Sequence, residues 1–427
     1  VQSVALIEQR IRRIPVLVSI LQRLAKVLRA LWLLVGLCLL SLVLAELLAR
    51  LGYDLVDAAS LAIHHRKPPS PTPCERVMAS LTLRWESYTY WRGQPSHNAL
   101  VTVGPDGRRP GWTAPGLDAD APRVTVTGGS AVWGMCVRDD ETIPSSLARA
   151  LAGTRTPARV ENHAQIGWVT TQEYIDLLLD LRQQRVPRVA VFYDGWNDIV
   201  AGMVEGAPGG PLNETNRKQE FDLLQHPGRL RLYALPNPQN LALGRLARTL
   251  RRHLVRGAPG RSAPVWLSRF GPDTSDAKLD SVAHQVVRIY AWNMNRIEEL
   301  GRTFGFHPLF YWQPDLVGKA TLSPTERATL AADPLMVRFT RKVRDAVRAS
   351  DQFAACRDFR DLETEFDADE QEIFFDWCHI TAGANDRVAE LIAADVRAAL
   401  RSPAAGPTAG AVSANADVVR EGAPARH

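Results

Sequence analysis

The sequence predicts an α/β fold: a three-layer α/β/α sandwich around a mostly parallel sheet of roughly five strands, preceded by one transmembrane helix. Three observations carry this prediction. Five short runs rich in β-branched and aromatic residues recur after residue 120, stretches with apolar positions three and four apart separate them, and small or polar residues follow the apolar runs. Strands alternating with helices build parallel sheets covered on both faces, and reactive groups collect beyond the carboxyl ends of such strands.

The strand-like runs are VTVTGG at 124–129, ARVENHA at 158–164, RVAVFYDG at 188–195, HPLFYWQP at 307–314 and EIFFDW at 372–377. The helical patterns between them are EYIDLLLDLRQQ, SVAHQVVRIYAWNMNRIEELGRTF and ATLAADPLMVRFTRKVRDAVRA. ALVTV at 99–103, followed by a Gly/Pro-rich turn, reads as an accessory strand laid against the main sheet.

Residues 30–49, ALWLLVGLCLLSLVLAELLA, carry one charge, Glu46, and are long enough as a helix to cross a bilayer. Arg10, Arg12, Arg13, Arg23, Lys26 and Arg29 face a single acid, Glu8, before this run. The positive-inside rule therefore puts residues 1–29 in the cytoplasm and the rest outside, as in a single-pass bacterial inner-membrane protein. An uncleaved anchor is the first reading; a cleaved signal peptide and a buried core helix are the others. Residues 50–119 read as a linker, with stiff RKPPSPTP at 66–73, and an accessory segment. Residues 120–400 form the main domain, with an insertion at 203–256 that reads equally as a cap over the pocket or as a peripheral helical insertion, and the Ala/Gly/Pro-rich 401–427 forms a disordered tail.

With 46% hydrophobic and 23% charged residues the chain is globular rather than fibrous or wholly disordered. Its 51 basic residues exceed the 46 acidic ones by only 5, and the excess is concentrated ahead of the apolar run, which argues against a nucleic-acid partner. The five cysteines, Cys38, Cys74, Cys136, Cys356 and Cys378, include no CxxC pair, and no spaced ligand cluster calls for a metal or another cofactor. In an extracytoplasmic domain a Cys74–Cys356 disulfide is the pairing considered, although spacing does not decide connectivity.

Three polar groups occupy strand ends. Ser130 follows Gly128-Gly129, where a small-residue turn leaves its hydroxyl at the lip of the sheet as a candidate nucleophile, without a GxSxG elbow. Asn197 and Asp198 follow Gly195 and Trp196 after the third run; such residues in a turn usually cap local backbone groups. Asp376 stands three residues before His379, so its carboxylate can accept the Nδ1 proton and leave Nε2 free as a base. Each signal alone is weak, but their order along the chain strengthens all three.

This arrangement resembles the SGNH/GDSL hydrolase superfamily. VTVTGGSAVWG at 124–134 resembles its serine block, with Gly129 where the family has Asp. ENHAQIGW at 161–168 looks like the second block, with Gly167 at the oxyanion-donor glycine, Asn162 at a frequent Asn, and Ala164 where many relatives have Gly. Gly195 to Asp198 match GxND, and Asp376 to His379 match DxxH. The resemblance spans roughly residues 120–400 and implies an α/β/α enzyme that hydrolyses or transfers acyl groups. Ser130, Asp376 and His379 would be catalytic, and Ser130, Gly167 and Asn197 would form the oxyanion hole.

Trp133, His163, Trp168, Trp196 and Trp312 lie in or beside these blocks and are candidate pocket residues, with ordinary packing as the competing role. Cys378 reads as a small core side chain rather than a nucleophile. The expected partners are the membrane, through residues 30–49, and an acyl ester, carbohydrate or lipid. A serine esterase is the first functional reading, with an O-acyltransferase and a noncatalytic envelope- or polysaccharide-binding module as alternatives.

Overall fold

The computed structural model describes residues 2–64, 72–154, 156–225, 242–244, 246 and 270–402. The chain divides into two compact units. One contains residues 1–70 with 221–260; the other contains residues 71–220 with 261–427. Most of the expected 66–73 linker, much of the 203–256 insertion and the 403–427 tail lie outside the described residues.

In the first unit a single helix, Gln2–His64, runs through the apolar segment without a break. Its stretch Gln22–Tyr53 has a mean hydropathy of 2.5 and is long enough to cross a membrane. The leucines and valines of this stretch are exposed, as are Trp32 and Leu40, so the helix is not a core helix of a folded domain. Glu46, the only acid of the Gln22–Tyr53 stretch, pairs with Arg50 at 2.8 Å and accepts hydrogen bonds from the Ala242 and Leu243 amides.

The second unit starts with a helix at Pro73–Ser80, whose capping box joins Thr72 and Glu75. Four short strands follow: β1 (Leu83–Glu86), β2 (Tyr90–Gly93), β3 (Ser96–His97) and β4 (Thr102–Val103). They pair into two antiparallel ribbons, β1 with β2 and β3 with β4, separate from the main sheet. The ALVTV segment therefore contributes β4 to its own hairpin.

The main sheet contains β5 (Arg123–Gly128), β6 (Arg159–Asn162), β7 (Val189–Asp194), β8 (His307–Trp312) and β9 (Phe359–Asp361). Its order is β6-β5-β7-β8-β9, and every pair is parallel. Alternation along β7 shows how the layers form. Val189, Val191 and Tyr193 enter one core with Leu147, Val388, Ile392 and Val396, from the helices Ile143–Ala152 and Ala382–Arg401. Ala190 and Phe192 enter the other, with residues of the helices Thr170–Arg182, Trp196–Glu205, Asp276–Phe304 and Pro334–Arg348. Helices thus cover both faces, as an all-parallel sheet requires.

Two expectations are corrected. The fifth strand is Phe359–Asp361, whereas 372–377 forms a loop with one isolated bridge, Phe374 to Ile380. Ile373 and Phe374 are buried there, and a short apolar run does not distinguish a core-covering loop from a strand. The disulfide joins Cys74 to Cys136, not to Cys356. Cys74 packs against the core face that contains Cys136, whereas Cys356 belongs to the opposite core and donates its thiol proton to Glu298 at 3.1 Å.

Candidate active site

The end of β5 delivers Ser130. Gly128 closes the strand, Gly129 is extended, and Ser130 opens the short helix Ser130–Trp133. The Gly134 and Met135 amides both bond to Ser130 O at 3.0 Å, fixing the turn that holds the residue. As first residue of a helix, Ser130 has a backbone N–H without an intrahelical partner.

The loop 371–381 delivers the other two groups. Asp376 Oδ1 accepts the Cys378 and His379 amides, each at 3.0 Å, so the carboxylate is anchored by its own loop. Asp376 Oδ2 meets His379 Nδ1 at 2.6 Å, and His379 Nε2 meets Ser130 Oγ at 2.7 Å. With the Nδ1 proton directed at the carboxylate, Nε2 is placed where it can accept the serine proton. Burial works against the Asp376 charge, but the His379 imidazole and the two amides hold its carboxyl below the ordinary carboxylate value.

Asn197 opens the second turn of this site. It lies in the helix Trp196–Glu205, immediately beyond β7, and its Nδ2 donates to Trp168 O at 2.7 Å. Gly167 has φ +73°, a conformation that favours glycine; a β-carbon there would make only ordinary contact with Leu212 and Trp91, at 3.4 and 3.6 Å, so it is the backbone rather than space that demands glycine. Trp91 Nε1 donates to Ile166 O at 2.6 Å, so the β1–β2 ribbon braces the Gly167 turn.

The five candidate pocket residues are all buried, and each has a described partner. Trp133 lies beneath Arg109, with the guanidinium carbon 4.8 Å from the ring centroid. Trp168 donates to Trp91 O, Trp196 stacks on Trp377 at 5.8 Å, and Trp312 packs edge-on against Tyr290. His163 lies between Glu161, Asp176 and Asp180 and lines a cavity of about 10 Å³ with Thr125 and Thr127, away from the serine. Cys378 is buried, and burial pushes its thiol well above the usual range, which opposes a nucleophilic thiolate.

Two described groups bring three ligand-type atoms within 4.8 Å of one another: Asp376, Cys378 and His379, and separately His163, Asp176 and Asp180. The first is the hydrogen-bonded relay already described. In the second, Arg92 and Arg108 pair with Asp176, and Arg108 and Arg185 pair with Asp180, so side-chain cations already neutralise it.

Sequence reasoning missed Glu326. Its Oε1 accepts the Ile373 and Phe374 amides at 2.9 and 3.1 Å, and its Oε2 meets buried Lys319 Nζ at 2.7 Å. Lys319 also donates to Gln371 O, so this pair secures the start of the loop bearing Asp376 and His379. Ser323-Pro-Thr-Glu326 is a readable capping box, but nothing in it announces the distant loop.

No protein-family profile matches the chain, and no curated protein matches it. Among solved structures it is similar to the acetyl xylan esterase AlAXEase, with 12% identity, a TM-score of 0.33, and 64% of this chain and 99% of that one covered. It is also similar to a lipase/acylhydrolase from Enterococcus faecalis, at 9% identity and a TM-score of 0.31, covering 65% of this chain and 96% of that one. An acetylxylan esterase from Geobacillus stearothermophilus gives 10% identity, a TM-score of 0.31, and coverage of 65% and 94%. Likeness at this level carries no assignment of activity.

Proposed function

We propose that this protein is a serine-dependent carboxylic ester hydrolase of the SGNH/GDSL type. The observation that carries the reading is the continuous relay from Asp376 through His379 to Ser130, with contacts of 2.6 and 2.7 Å. Ser130 Oγ attacks the ester carbonyl carbon while its proton passes to His379 Nε2, and Asp376 stabilises the resulting imidazolium. The carbonyl oxygen becomes an oxyanion that accepts hydrogen bonds from the Ser130 and Gly167 amides and the Asn197 side chain.

The C–O bond to the alcohol then breaks, and the alcohol leaves with the proton from His379. Water repeats the sequence on the acyl-serine and releases the acid. An alcohol acceptor in place of water would make the same intermediate serve an O-acyltransferase. The apolar helix and the basic residues before it support a membrane-tethered enzyme with its catalytic unit outside the cytoplasm, acting on an acyl ester of an envelope or exported carbohydrate or lipid.

Hydrolysis of a short activated acetyl ester by purified protein tests this reading. Wild type should turn over and Ser130→Ala should not; equal rates would overturn the assignment. Adding sugar alcohols to wild type and following acetyl transfer against acetate release separates transferase from hydrolase.

A further inference from the structure

Three carboxylates that the relay does not use lie behind the oxyanion side of the site. Glu173 belongs to the helix that follows Gly167 and Trp168, Asp194 ends β7, and Asp198 follows Asn197 directly. They are 0%, 2% and 2% exposed. Asp198 accepts the Thr170 hydroxyl and, at 3.3 Å, the Thr170 amide, while Asp194 accepts the Tyr290 hydroxyl. Both oxygens of Glu173 and the second oxygen of Asp194 have no donor among the described residues.

Groups from every neighbouring element share the same sign or are neutral. Asp194 and Asp198 come from β7 and the helix after it, Asp176 from the Glu173 helix itself, and Tyr290 from the helix Asp276–Phe304. The guanidinium groups of Arg92 and Arg108 pair with Asp176 on the Glu173 helix. Three full negative charges in such a place would repel one another in a low dielectric, with orphaned oxygens facing each other. A proton on Glu173 resolves both problems, because it turns one orphaned oxygen into a donor for Asp194.

We propose that Glu173, Asp194 and Asp198 form a proton-holding positioning cluster, in which protonated Glu173 donates to Asp194 and keeps the Asn197 and Gly167 turns in register for oxyanion binding. The cluster links the two turns covalently and by hydrogen bonds. Asp194 and Asp198 bracket Asn197, Asp198 ties that helix to Thr170, and Glu173 lies one turn beyond Thr170 on the helix that starts after Gly167. Its protonated form also keeps a further negative charge away from the site where the oxyanion develops. Burial and the neighbouring carboxylates raise Glu173 well above its ordinary value, in agreement with this geometry.

This inference rests on the serine-hydrolase reading, and its test separates the two. The kcat for an activated acetyl ester is measured against pH, with the Ser130→Ala rate subtracted, for wild type, Glu173→Gln and Tyr290→Phe. Wild type should lose turnover as pH rises above neutrality with little change in KM and no loss of circular dichroism. Glu173→Gln, whose neutral amide donates to Asp194 without titrating, should keep its activity at alkaline pH. Tyr290→Phe, which removes a donor from Asp194 and tightens that carboxylate's hold on the shared proton, should move the alkaline loss to higher pH. A wild-type profile with no alkaline loss, or an identical loss in all folded proteins, overturns the cluster's role. If Glu173→Gln does not fold, the wild-type and Tyr290→Phe profiles still decide. Retained turnover in Ser130→Ala would instead overturn the hydrolase reading.

Discussion

The Asn197 side-chain amide fills the space that a side chain at residue 129 would need: a β-carbon on Gly129 would stand 2.2 Å from Asn197 Nδ2. The backbone of Gly129 is extended and would suit any residue, so close approach rather than conformation demands glycine here. Asn197 thus leans over the residue beside Ser130. Gly129→Ala should force Asn197 aside and lower kcat by about the 10²–10³-fold typical of losing one oxyanion donor. Asn197→Ala should do the same, and the double variant should be little worse than either single one. Additive losses in a double-mutant cycle would contradict the contact.

The Cys74–Cys136 bridge closes a loop across 62 positions and ties the Pro73–Ser80 helix to the segment just beyond the serine helix. Chain-entropy reasoning gives such a bridge about 4 kcal/mol. Denaturant titration should show a loss of that order in Cys74→Ser, and Cys356→Ser should leave the bridge intact. Peptide mass analysis before and after reduction reads the connectivity.

Asp176 is a buried hub. Burial would raise its carboxyl, but His163, Arg92 and Arg108 hold it below the usual range. Asp176→Ala leaves two largely buried guanidinium groups short of a partner and should destabilise the fold by about 3–5 kcal/mol. A thermal or denaturant transition close to that of wild type would contradict this.

The acidic cluster also sets the pH dependence of stability. Burial raises Asp194 to about 6 and, aided by the Asp194 charge, Asp198 to about 7, so the folded state holds protons that the unfolded chain releases near pH 4. More protons on the native state mean stability falls as pH rises, from about pH 4 through the values of Asp194 and Asp198 and onward until Glu173, also held well above its ordinary value, ionises. Glu161 and Asp176, held low by their ion pairs, act in the opposite sense below the ordinary carboxylate range. Melting temperatures should thus peak on the mildly acidic side. A maximum near pH 8 would contradict these assignments.

The sheet was legible because β5, β7 and β8 are dense apolar runs flanked by helical periodicity; Ser130 and Asn197 follow two of these strands, whereas Asp376 and His379 stand on a loop and were legible only through their three-residue spacing. The loop 372–377 was misread since its apolar residues cover the core without a ladder, held there by Glu326. Pro334 splits the 328–349 pattern into two helices, as its missing N–H requires. The tryptophans beside the motifs read equally as rim or core from sequence, and only their partners decide. Glu173 was invisible as anything but a helical polar residue, because its significance depends on β7 and the Asp276–Phe304 helix meeting it in space.

The most direct measurement is intact-protein mass spectrometry after brief exposure to a fluorophosphonate and, separately, to an activated acetyl ester. Wild type should gain one phosphonyl or one acetyl group on the peptide containing Ser130, and Ser130→Ala should gain neither. His379→Ala should label far more slowly. Folded wild-type protein that takes up neither group, or takes it up elsewhere than Ser130, would contradict the account.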